Sequence, residues 1–245
     1  MANTLTLYTC DVCPFAQRAV IALEEAKADY ITYNIDLLNK PEWYTSKVNP
    51  ASKVPAIAYG GPKVNPENPS PESAKIAESL VLLEFIADLY PNSGLLSTDP
   101  VERARTRFIM DIFRTKVFLA HNALVWRGNS PEALYNGLLS FQEQLELHAK
   151  PFLGGNKINI ADAAVAPFLI RLEAHLRNDV GGFTAGEGPK LYDEVFKSER
   201  FNTLSKYTHA LLARETIKQS FSEDKYLERA NFKLQEALKA GVSAF

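Results

Sequence analysis

Short apolar runs and helix-like stretches alternate over the first part of the chain. Three of the runs are short and rich in β-branched and aromatic residues, which is typical of strands. These runs are TLTLYT (4–9), DYITYNID (29–36) and VPAIAY (54–59). The pattern therefore predicts that residues 1–90 contain the strands of a small sheet.

Helical spacing of apolar residues fills the gaps between these runs. The stretch PFAQRAVIALEEAKA (14–28) predicts a helix, and Pro14 is suited to its first turn because proline has no N–H to leave unpaired there. A further helix is predicted from about Ser79 to Leu89. Since strands and helices alternate, residues 1–90 are expected to form an α/β domain in which helices cover a mixed sheet.

The second half of the chain has helical spacing almost throughout. Turn-forming residues at 91–100 predict a linker, and residues 101–245 are expected to form an all-α domain. Its predicted helices span 101–127, about 132–148, 159–176, 187–197 and 201–219, followed by a mixed, helical tail at 222–245.

Composition narrows the class of protein. The 245 residues carry a net charge of −2, which argues against a nucleic-acid-binding protein. No apolar run reaches the roughly 20 residues that span a bilayer, and the first residues lack the pattern of a signal peptide. We therefore expect a cytoplasmic protein with reduced thiols, and neither nucleic acid nor membrane as a partner.

The two cysteines, Cys10 and Cys13, lie where the first strand gives way to the first helix. If that helix begins at Pro14, Cys13 is its N-cap, where free amides and the helix dipole are expected to lower the thiol pKa. Cys13 is thus predicted to be a nucleophile, and Cys10 a small buried hydrophobe. The alternatives are a packed core thiol, a Cys10–Cys13 disulfide or a metal site, but the four histidines show no ligand spacing and no metal is expected.

Several motifs together resemble the omega-class glutathione transferases, and the related plant lambda class is similar in the first of them. The motifs are CPFAQR (13–18), NKPEW (39–43), NPASKVPAI (49–57), AESLVLLEFIADLYP (77–91) and NIADAAVAPFLIRLEA (159–174). The resemblance covers nearly the whole chain. It implies a thioredoxin-like domain that binds glutathione as co-substrate, joined to a helical domain in the glutathione transferase fold, and a homodimer.

The resemblance also implies a set of glutathione contacts. A cis Val54–Pro55 bond would present backbone groups to the tripeptide, and Lys40 would lie near its glycyl carboxylate. Ser79 and Glu78, at a predicted helix start, would hold the γ-glutamyl carboxylate and ammonium groups. Simple helix capping by Ser79 is the alternative. The predicted glutathione-binding residues are Phe15, Lys40, Lys53, Val54, Pro55, Glu78 and Ser79.

A pocket for the second substrate is predicted between Cys13 and the helical domain. Two helical stripes supply the candidates, although such stripes also form ordinary cores. The first stripe is Met110, Arg114, Val117 and His121, the second is Phe168, Arg171 and His175, and Phe15 and Trp126 are further candidates.

Two other segments are interpreted structurally. Asn159 and Asp162 form a capping pair that should stabilise the helix by roughly 1 kcal/mol. The proline-rich segment at 61–75 is longer than the connection usual in animal omega proteins. It is predicted to be a surface insertion, or else a rim of the glutathione cleft or a contact between subunits.

The predicted function is glutathione-dependent thiol transfer and reduction, in which Cys13 forms a mixed disulfide with glutathione. One alternative is a weakly catalytic or non-catalytic protein that binds hydrophobic or aromatic metabolites. Another is a structural or stress-regulatory protein with a vestigial fold, which would have no affinity for glutathione.

Overall fold

The computed structural model describes residues 4–148 and 150–241 of the chain. Its sheet has four strands in the order β2-β1-β3-β4, with β1 parallel to β2 and the other two neighbouring pairs antiparallel. The strands are β1 (Leu5–Thr9), β2 (Ile31–Asn34), β3 (Ala56–Tyr59) and β4 (Ala74–Ala77). The first three lie inside the predicted runs, whereas β4 was not predicted.

Helices cover both faces of this sheet. Leu5 and Leu7 of β1 pack into the main core with α1 (Pro14–Glu25) and α3 (Ser79–Leu89). Tyr8 points to the other face, where it joins a smaller core with Tyr44 of α2 (Glu42–Lys47). All five residues of β1 are buried, as expected for a central strand covered on both sides. The sheet and these helices form the predicted α/β domain of thioredoxin-like type.

The remaining elements are helical, as predicted. They are α4 (Pro100–Ile112), a π-helical segment (Phe113–Phe118), α5 (Leu119–Arg127), α6 (Glu132–His148), α7 (Ile160–Arg177), α8 (Glu187–Lys197), α9 (Asn202–Ala213), α10 (Glu215–Gln219) and α11 (Glu223–Ala240). Helix α7 is the centre of this domain, since every residue from Ile160 to Leu176 is buried. It packs against α1 and α3, so the two domains share one continuous core.

The capping pair of α7 is confirmed and is part of a larger network. Asn159 Oδ1 accepts hydrogen bonds from two backbone amides of the first turn, and Asp162 Oδ2 accepts one from Asn159 N at 2.9 Å. Asp162 is completely buried and also accepts from Tyr207 Oη at 2.7 Å. The amides of Leu153 and Gly154 donate to the same carboxylate at 2.9 and 3.1 Å. The pair thus fixes the preceding loop as well as the helix start.

The proline-rich segment folds against the sheet on the side of α2. Tyr8 Oη donates to the carbonyl of Pro66 at 2.8 Å, and Tyr33 Oη donates to Glu67 at 2.9 Å. Lys75 Nζ donates to the carbonyls of Ser70 and Ser73 at 2.6 and 2.8 Å. None of residues 61–75, all of which the structure describes, lines the cleft at Cys13. The interpretation as a rim of that cleft is therefore wrong.

No helix in the described part of the chain combines the length and the apolar character that crossing a membrane requires.

Candidate active site

Cys13 lies at the junction of the sheet and the helical domain. It is the N-cap of α1, as predicted, and Pro14 is the first residue of the helix. The amide of Cys13 donates to the carbonyl of Cys10 at 2.9 Å, which closes the turn between β1 and α1. The Cys13 side chain lines two neighbouring cavities. We call the first the polar cavity, because lysine, serine, asparagine and glutamate side chains are part of its wall, and the second the apolar cavity, because its wall is mainly aromatic and aliphatic. A single sulfur atom therefore lies beside two binding spaces of different chemistry.

The polar cavity has a volume of about 380 Å³. Every residue predicted to bind glutathione lines it: Phe15, Lys40, Lys53, Val54, Pro55, Glu78 and Ser79. The structure adds Leu37, Asn49 and Ser52, which sequence reasoning missed. Asn49 is the first residue of the NPASKVPAI motif, so its position in that motif could have identified it as a cavity-lining residue. Two lysines and a helix start in the wall of one cavity suit a ligand that carries more than one negative group.

The loop before β3 is held rigidly on one wall of this cavity. Tyr44 Oη donates to the carbonyl of Lys53 at 2.7 Å, and Asn49 Nδ2 donates to the same carbonyl at 2.8 Å. The Val54–Pro55 peptide bond is cis, as the resemblance implied. Lys40 Nζ donates to the carbonyl of Ser52 at 2.8 Å, which ties this lysine to the rim of the cavity.

The start of α3 forms another part of the cavity wall. Glu78 is its N-cap and has φ +72° and ψ 112°, a backbone region that a residue with a side chain rarely adopts. No side-chain cap hydrogen bond is present, and Ser79 is the first helical residue instead of the cap. The alternative of simple capping by Ser79 therefore does not describe this helix start. Strain of this kind concentrates at functional sites.

Arg18 connects this wall to the helical domain and was missed from the sequence. Its side chain is buried, and Nη1 donates to Ser79 Oγ at 3.0 Å while Nε donates to the carbonyl of Ala164 at 2.8 Å. The guanidinium also lies 4.8 Å from the centre of the Phe168 ring. Burial lowers the pKa of Arg18 to about 9, so it remains charged at neutral pH. Arg18 fixes the direction in which the Ser79 hydroxyl points.

The apolar cavity has a volume of about 230 Å³ and lies between α1 and the helical domain. Of the predicted acceptor-site residues, His121, Phe168 and Arg171 line it, together with Phe15 and Trp126. The structure adds Val12, Pro14, Leu37, Phe118 and Asn122 from nearby segments, and Tyr226, Arg229, Ala230 and Lys233 from α11.

Met110, Arg114 and Val117 do not line this cavity. Met110 and Val117 are buried in the main core, and Arg114 is exposed, with its guanidinium 2.7 Å from Asp111. The π-helical segment after α4 explains the error, because its wider turn rotates the following residues relative to a regular helix. Phe118 consequently occupies the wall where the regular spacing had placed Val117.

His175 lies behind the cavity wall and does not line it. It is fully buried, with Nδ1 facing the carbonyl of Val180 at 2.5 Å and Nε2 facing Tyr226 Oη at 2.7 Å. Burial lowers the pKa of His175 to about 3, so the ring is neutral. Its Nδ1–H therefore donates to the carbonyl and its Nε2 accepts from Tyr226, which attaches α11 to α7.

Arg171 is the central charged group of the apolar cavity. Its guanidinium lies between the rings of Phe221 and Tyr226, 4.7 Å from each centre, and hydrogen bonds join it to Gln17 and to the Pro167 carbonyl. Burial lowers the pKa of Arg171 to about 10, which leaves it charged. Within the described residues, Arg171 Nε and His121 Nε2 are buried side-chain atoms without a hydrogen-bond partner.

Comparisons with known proteins agree with this geometry. Residues 12–89 match the family model of the glutathione S-transferase N-terminal domain. The crystal structure of glutathione transferase Omega 1C from Trametes versicolor is 50% identical to this chain, with a TM-score of 0.90 over 95% of this chain and 97% of that one. The omega-1 glutathione S-transferase of Mus musculus is 31% identical over 69% of this chain and 68% of its own.

The chain belongs to the omega-like glutathione transferases.

Another relative of this omega-like transferase is the pyrimidodiazepine synthase of Drosophila melanogaster, which is 31% identical. That match covers 69% of this chain and 65% of the relative, slightly less than two thirds of its length. Family membership supports glutathione-dependent thiol transfer or reduction as the activity of the chain, with glutathione as co-substrate. The alternative of a mainly ligand-binding protein is not favoured.

The electrostatics of Cys13 correct one expectation for this omega-like transferase. Burial raises the pKa of the Cys13 thiol above its ordinary value. Hydrogen bonds from the amides of Ala16 and Phe15 and the charge of Arg171 act in the opposite direction, but they are smaller than the effect of burial. The predicted lowering of this pKa is therefore wrong in sign, although the helix-start amides that prompted it are present.

This shift predicts how the reactivity of Cys13 depends on pH. We expect the rate of alkylation by iodoacetamide to rise roughly tenfold per pH unit from about pH 6 to about pH 9, because only the thiolate reacts and its pKa lies above that of an ordinary cysteine. The measurement follows adduct formation at Cys13 by mass spectrometry in a Cys10→Ser background. A rate that levels off at or below about pH 8.5, the pKa of an ordinary cysteine, would contradict the shift.

Metal chemistry was not expected from the sequence. Among residues 4–148 and 150–241, no three His, Cys, Asp or Glu side chains form a group that could hold a metal ion.

Proposed function

We propose that this chain is a glutathione-dependent thiol transferase in which Cys13 is the catalytic nucleophile. The observation that carries the proposal is the position of Cys13 on the wall between the polar and the apolar cavity. Glutathione would occupy the first, and the group attached to its sulfur would enter the second. The sulfur atoms of substrate and enzyme would then meet at the boundary.

The polar cavity has complementary groups for each end of glutathione. Lys40 and Lys53 supply positive charge for the glycyl carboxylate. The amides that open α3 and the Ser79 hydroxyl would hold the γ-glutamyl carboxylate, while Glu78 accepts from the ammonium group. Val54 offers its backbone to the cysteinyl part of the peptide, in the manner of an added strand. With these contacts the glutathione sulfur would point towards Cys13.

The reaction is a thiol–disulfide exchange. The Cys13 thiolate attacks the glutathionyl sulfur of a mixed disulfide, a bond forms between the two sulfurs, and the other thiol leaves with the electron pair. A second glutathione thiolate then attacks the same glutathionyl sulfur, which yields glutathione disulfide and returns the Cys13 thiolate. A raised pKa is compatible with this role, because a small thiolate fraction of cysteine is already strongly nucleophilic. Conjugation of glutathione to electrophiles should be weak, because the side chain beside the glutathione sulfur would be the Cys13 thiol and not the hydroxyl donor that activates this sulfur in tyrosine- or serine-type transferases.

The direct test is the intact mass of the protein after incubation with glutathione disulfide. We expect a gain of one glutathionyl group, located on the peptide that contains Cys13 and removed by reduced glutathione. An unmodified protein, or a modification located only on Cys10, would overturn the proposal.

The binding role of Ser79 leads to a kinetic prediction. Ser79→Ala is expected to raise the KM for the glutathione mixed disulfide about five- to twentyfold and to change kcat less, because Ser79 would contact the γ-glutamyl end of its glutathionyl part and not the reacting sulfur. Steady-state kinetics with varied mixed disulfide at a fixed excess of glutathione measures both constants. Ser46→Ala on the exposed surface of α2 is the matched control. A fall in kcat at constant KM would count against the assigned contact.

The assembly and location of the chain remain predictions. Glutathione transferases often dimerise, and the homodimer is predicted for this chain because it belongs to that family. The cytoplasmic location, the small hydrophobic or glutathionylated substrates and the absence of nucleic acid or membrane partners follow from composition and from the resemblance. Measuring the molecular mass of the protein in solution tests the predicted homodimer.

A further inference from the structure

The charged side chains along the apolar cavity are all basic. Arg171, Arg229 and Lys233 line it, and the described residues of its wall include neither aspartate nor glutamate. The other lining groups are mainly aromatic rings and aliphatic side chains. A space of this kind favours a flat apolar ligand that carries negative charge, because such a ligand gains both burial and charge pairing.

Two of these cations come from one face of the last helix. Tyr226, Arg229, Ala230 and Lys233 are spaced by three, four and seven residues along α11, so they lie on the same side of the helix. Arg229 and Lys233 are both half-buried. The helical spacing therefore brings Arg229 and Lys233 to the same face of α11, and that face lines the cavity.

Two of the four acidic residues of α11 form ion pairs away from the cavity. Glu223 pairs with Arg177 at 2.7 Å, and Glu236 pairs with Lys239 at 2.8 Å. The Arg229 guanidinium lies 5.5 Å from the centre of the Phe232 ring and forms no salt bridge within the described part of the chain. An anion in the cavity would give Arg229 the charged partner that its own helix does not provide.

Lys233 brings a second positive charge of α11 to the same cavity wall. Its Nζ atom lies 4.9 Å from the centre of the Trp126 ring. Burial lowers the pKa of Lys233, and the positive charge of Arg229 lowers it further. The two cations thus repel one another at the cavity, and a negative group between them would relieve that repulsion.

We propose that this cavity selects acceptor substrates that are aromatic and carry an anionic group such as a carboxylate, with Arg229 and Lys233 as the specificity-determining residues. The inference rests on the proposed function, since it names the thiol released when Cys13 attacks a glutathione mixed disulfide. In that step the bond between the glutathionyl sulfur and the aryl sulfur breaks. The aryl thiolate leaves with the electron pair into the apolar cavity, where its carboxylate faces the two cations.

A matched pair of substrates tests this selection. One is the mixed disulfide of glutathione with para-mercaptobenzoate, and the other is the mixed disulfide with the methyl ester of the same thiol. The two have nearly the same shape and differ in one negative charge. Release of the aryl thiol in excess glutathione, followed by absorbance, gives kcat/KM for each, and the quantity compared is the acid-to-ester ratio.

The wild-type chain is expected to prefer the acid. Arg229→Met and Lys233→Met should each lower the acid-to-ester ratio about three- to fivefold, and the double variant about tenfold or more. Added salt should lower the ratio of the wild type in the same direction, because it screens the charges. Lys239→Met makes the same charge change on the same helix outside the cavity and should leave the ratio as it is.

The ratio is insensitive to partial misfolding, because both substrates are measured on one preparation of each variant. A double variant with the wild-type ratio would overturn the inference, and the proposed function would stand because both disulfides are still cleaved. A ratio that falls equally in Lys239→Met would also overturn it, since net charge alone would then explain the preference. Failure of the wild type to cleave either disulfide would overturn the proposed function and this inference together.

Discussion

Replacing Cys13 with serine is expected to lower the rate of glutathione-dependent disulfide exchange by about 10³-fold or more. A serine hydroxyl is not ionised at neutral pH, and it cannot form the mixed disulfide on which the cycle depends. Among the described residues that line the two cavities at Cys13, no second thiol is present that could replace the nucleophile. Exchange kinetics with a glutathione mixed disulfide measure the loss, and the glutathione adduct should disappear from the intact mass.

Cys10→Ser is the matched control for this variant, because it removes the other thiol of the chain. Cys10 is buried and lines a different cavity from Cys13, beside Thr9, Asp11 and residues of the segment 219–222. Burial raises the pKa of both thiols, so it is the separate location of Cys10, outside the two cavities at Cys13, that distinguishes it from the nucleophile. The control should therefore keep most of the activity. Normal exchange in Cys13→Ser would remove Cys13 from the mechanism, and a severe loss in a stable Cys10→Ser would show that Cys10 takes part.

The parts of the site that could be predicted are those fixed by short stretches of chain. Pro14 after Cys13 determines where α1 begins, so the sequence alone locates the thiol at a helix N-terminus. The loop before β3 and the start of α3 are also local features with recognisable motifs. The sheet brings these three segments together at one edge of the domain, which is why the predicted glutathione-binding residues line a single cavity.

The parts that could not be predicted depend on tertiary packing. Helical periodicity cannot show that residues 113–118 take a π-helical turn, and that turn moved Val117 into the core. The burial of Cys13 comes from elements far along the chain, so the sign of its pKa shift was not available from the helix start alone. The face of α11 that lines the apolar cavity was missed for the same reason, since the tail was interpreted only as a helical extension.

Buried polar networks form a second group of missed features. Arg18 contacts Ala164, which is 146 residues away in sequence, and Arg171 contacts Gln17, which is 154 residues away. On a helical projection, Gln17 and Arg18 are ordinary polar positions of α1 next to the thiol. Only the docking of α7 on α1 buries them and turns them into groups that orient Ser79 and the cavity wall. The burial of these polar side chains thus depends on how α7 packs on α1, and the local sequence around Cys13 does not show it.

Asp162→Ala is expected to lower the free energy of unfolding by about 3–5 kcal/mol, several times the roughly 1 kcal/mol expected for a helix cap alone. The structure explains the difference, because the Asp162 carboxylate accepts four hydrogen bonds: three from backbone amides and one from the Tyr207 hydroxyl. Burial raises the pKa of Asp162 to about 6, while these donors act against the shift, so the group is ionised at neutral pH. Its removal leaves the buried Asn159 amide and the buried Tyr207 hydroxyl without their acceptor, and it also frees the less buried amides of Leu153 and Gly154. Urea denaturation followed by circular dichroism measures the change.

Two variants separate the cap from the buried network. Asn159→Ala removes only the acceptor for the amides of Ala161 and Asp162 and should cost about 1 kcal/mol. Tyr207→Phe removes a single donor and leaves the backbone hydrogen bonds of Asp162 in place, so its cost should lie well below that of Asp162→Ala. Asp162 does not line either cavity at Cys13, and folded Asp162→Ala should retain its kcat/KM for disulfide exchange. Normal stability with lost exchange activity would instead place this carboxylate in the catalytic machinery.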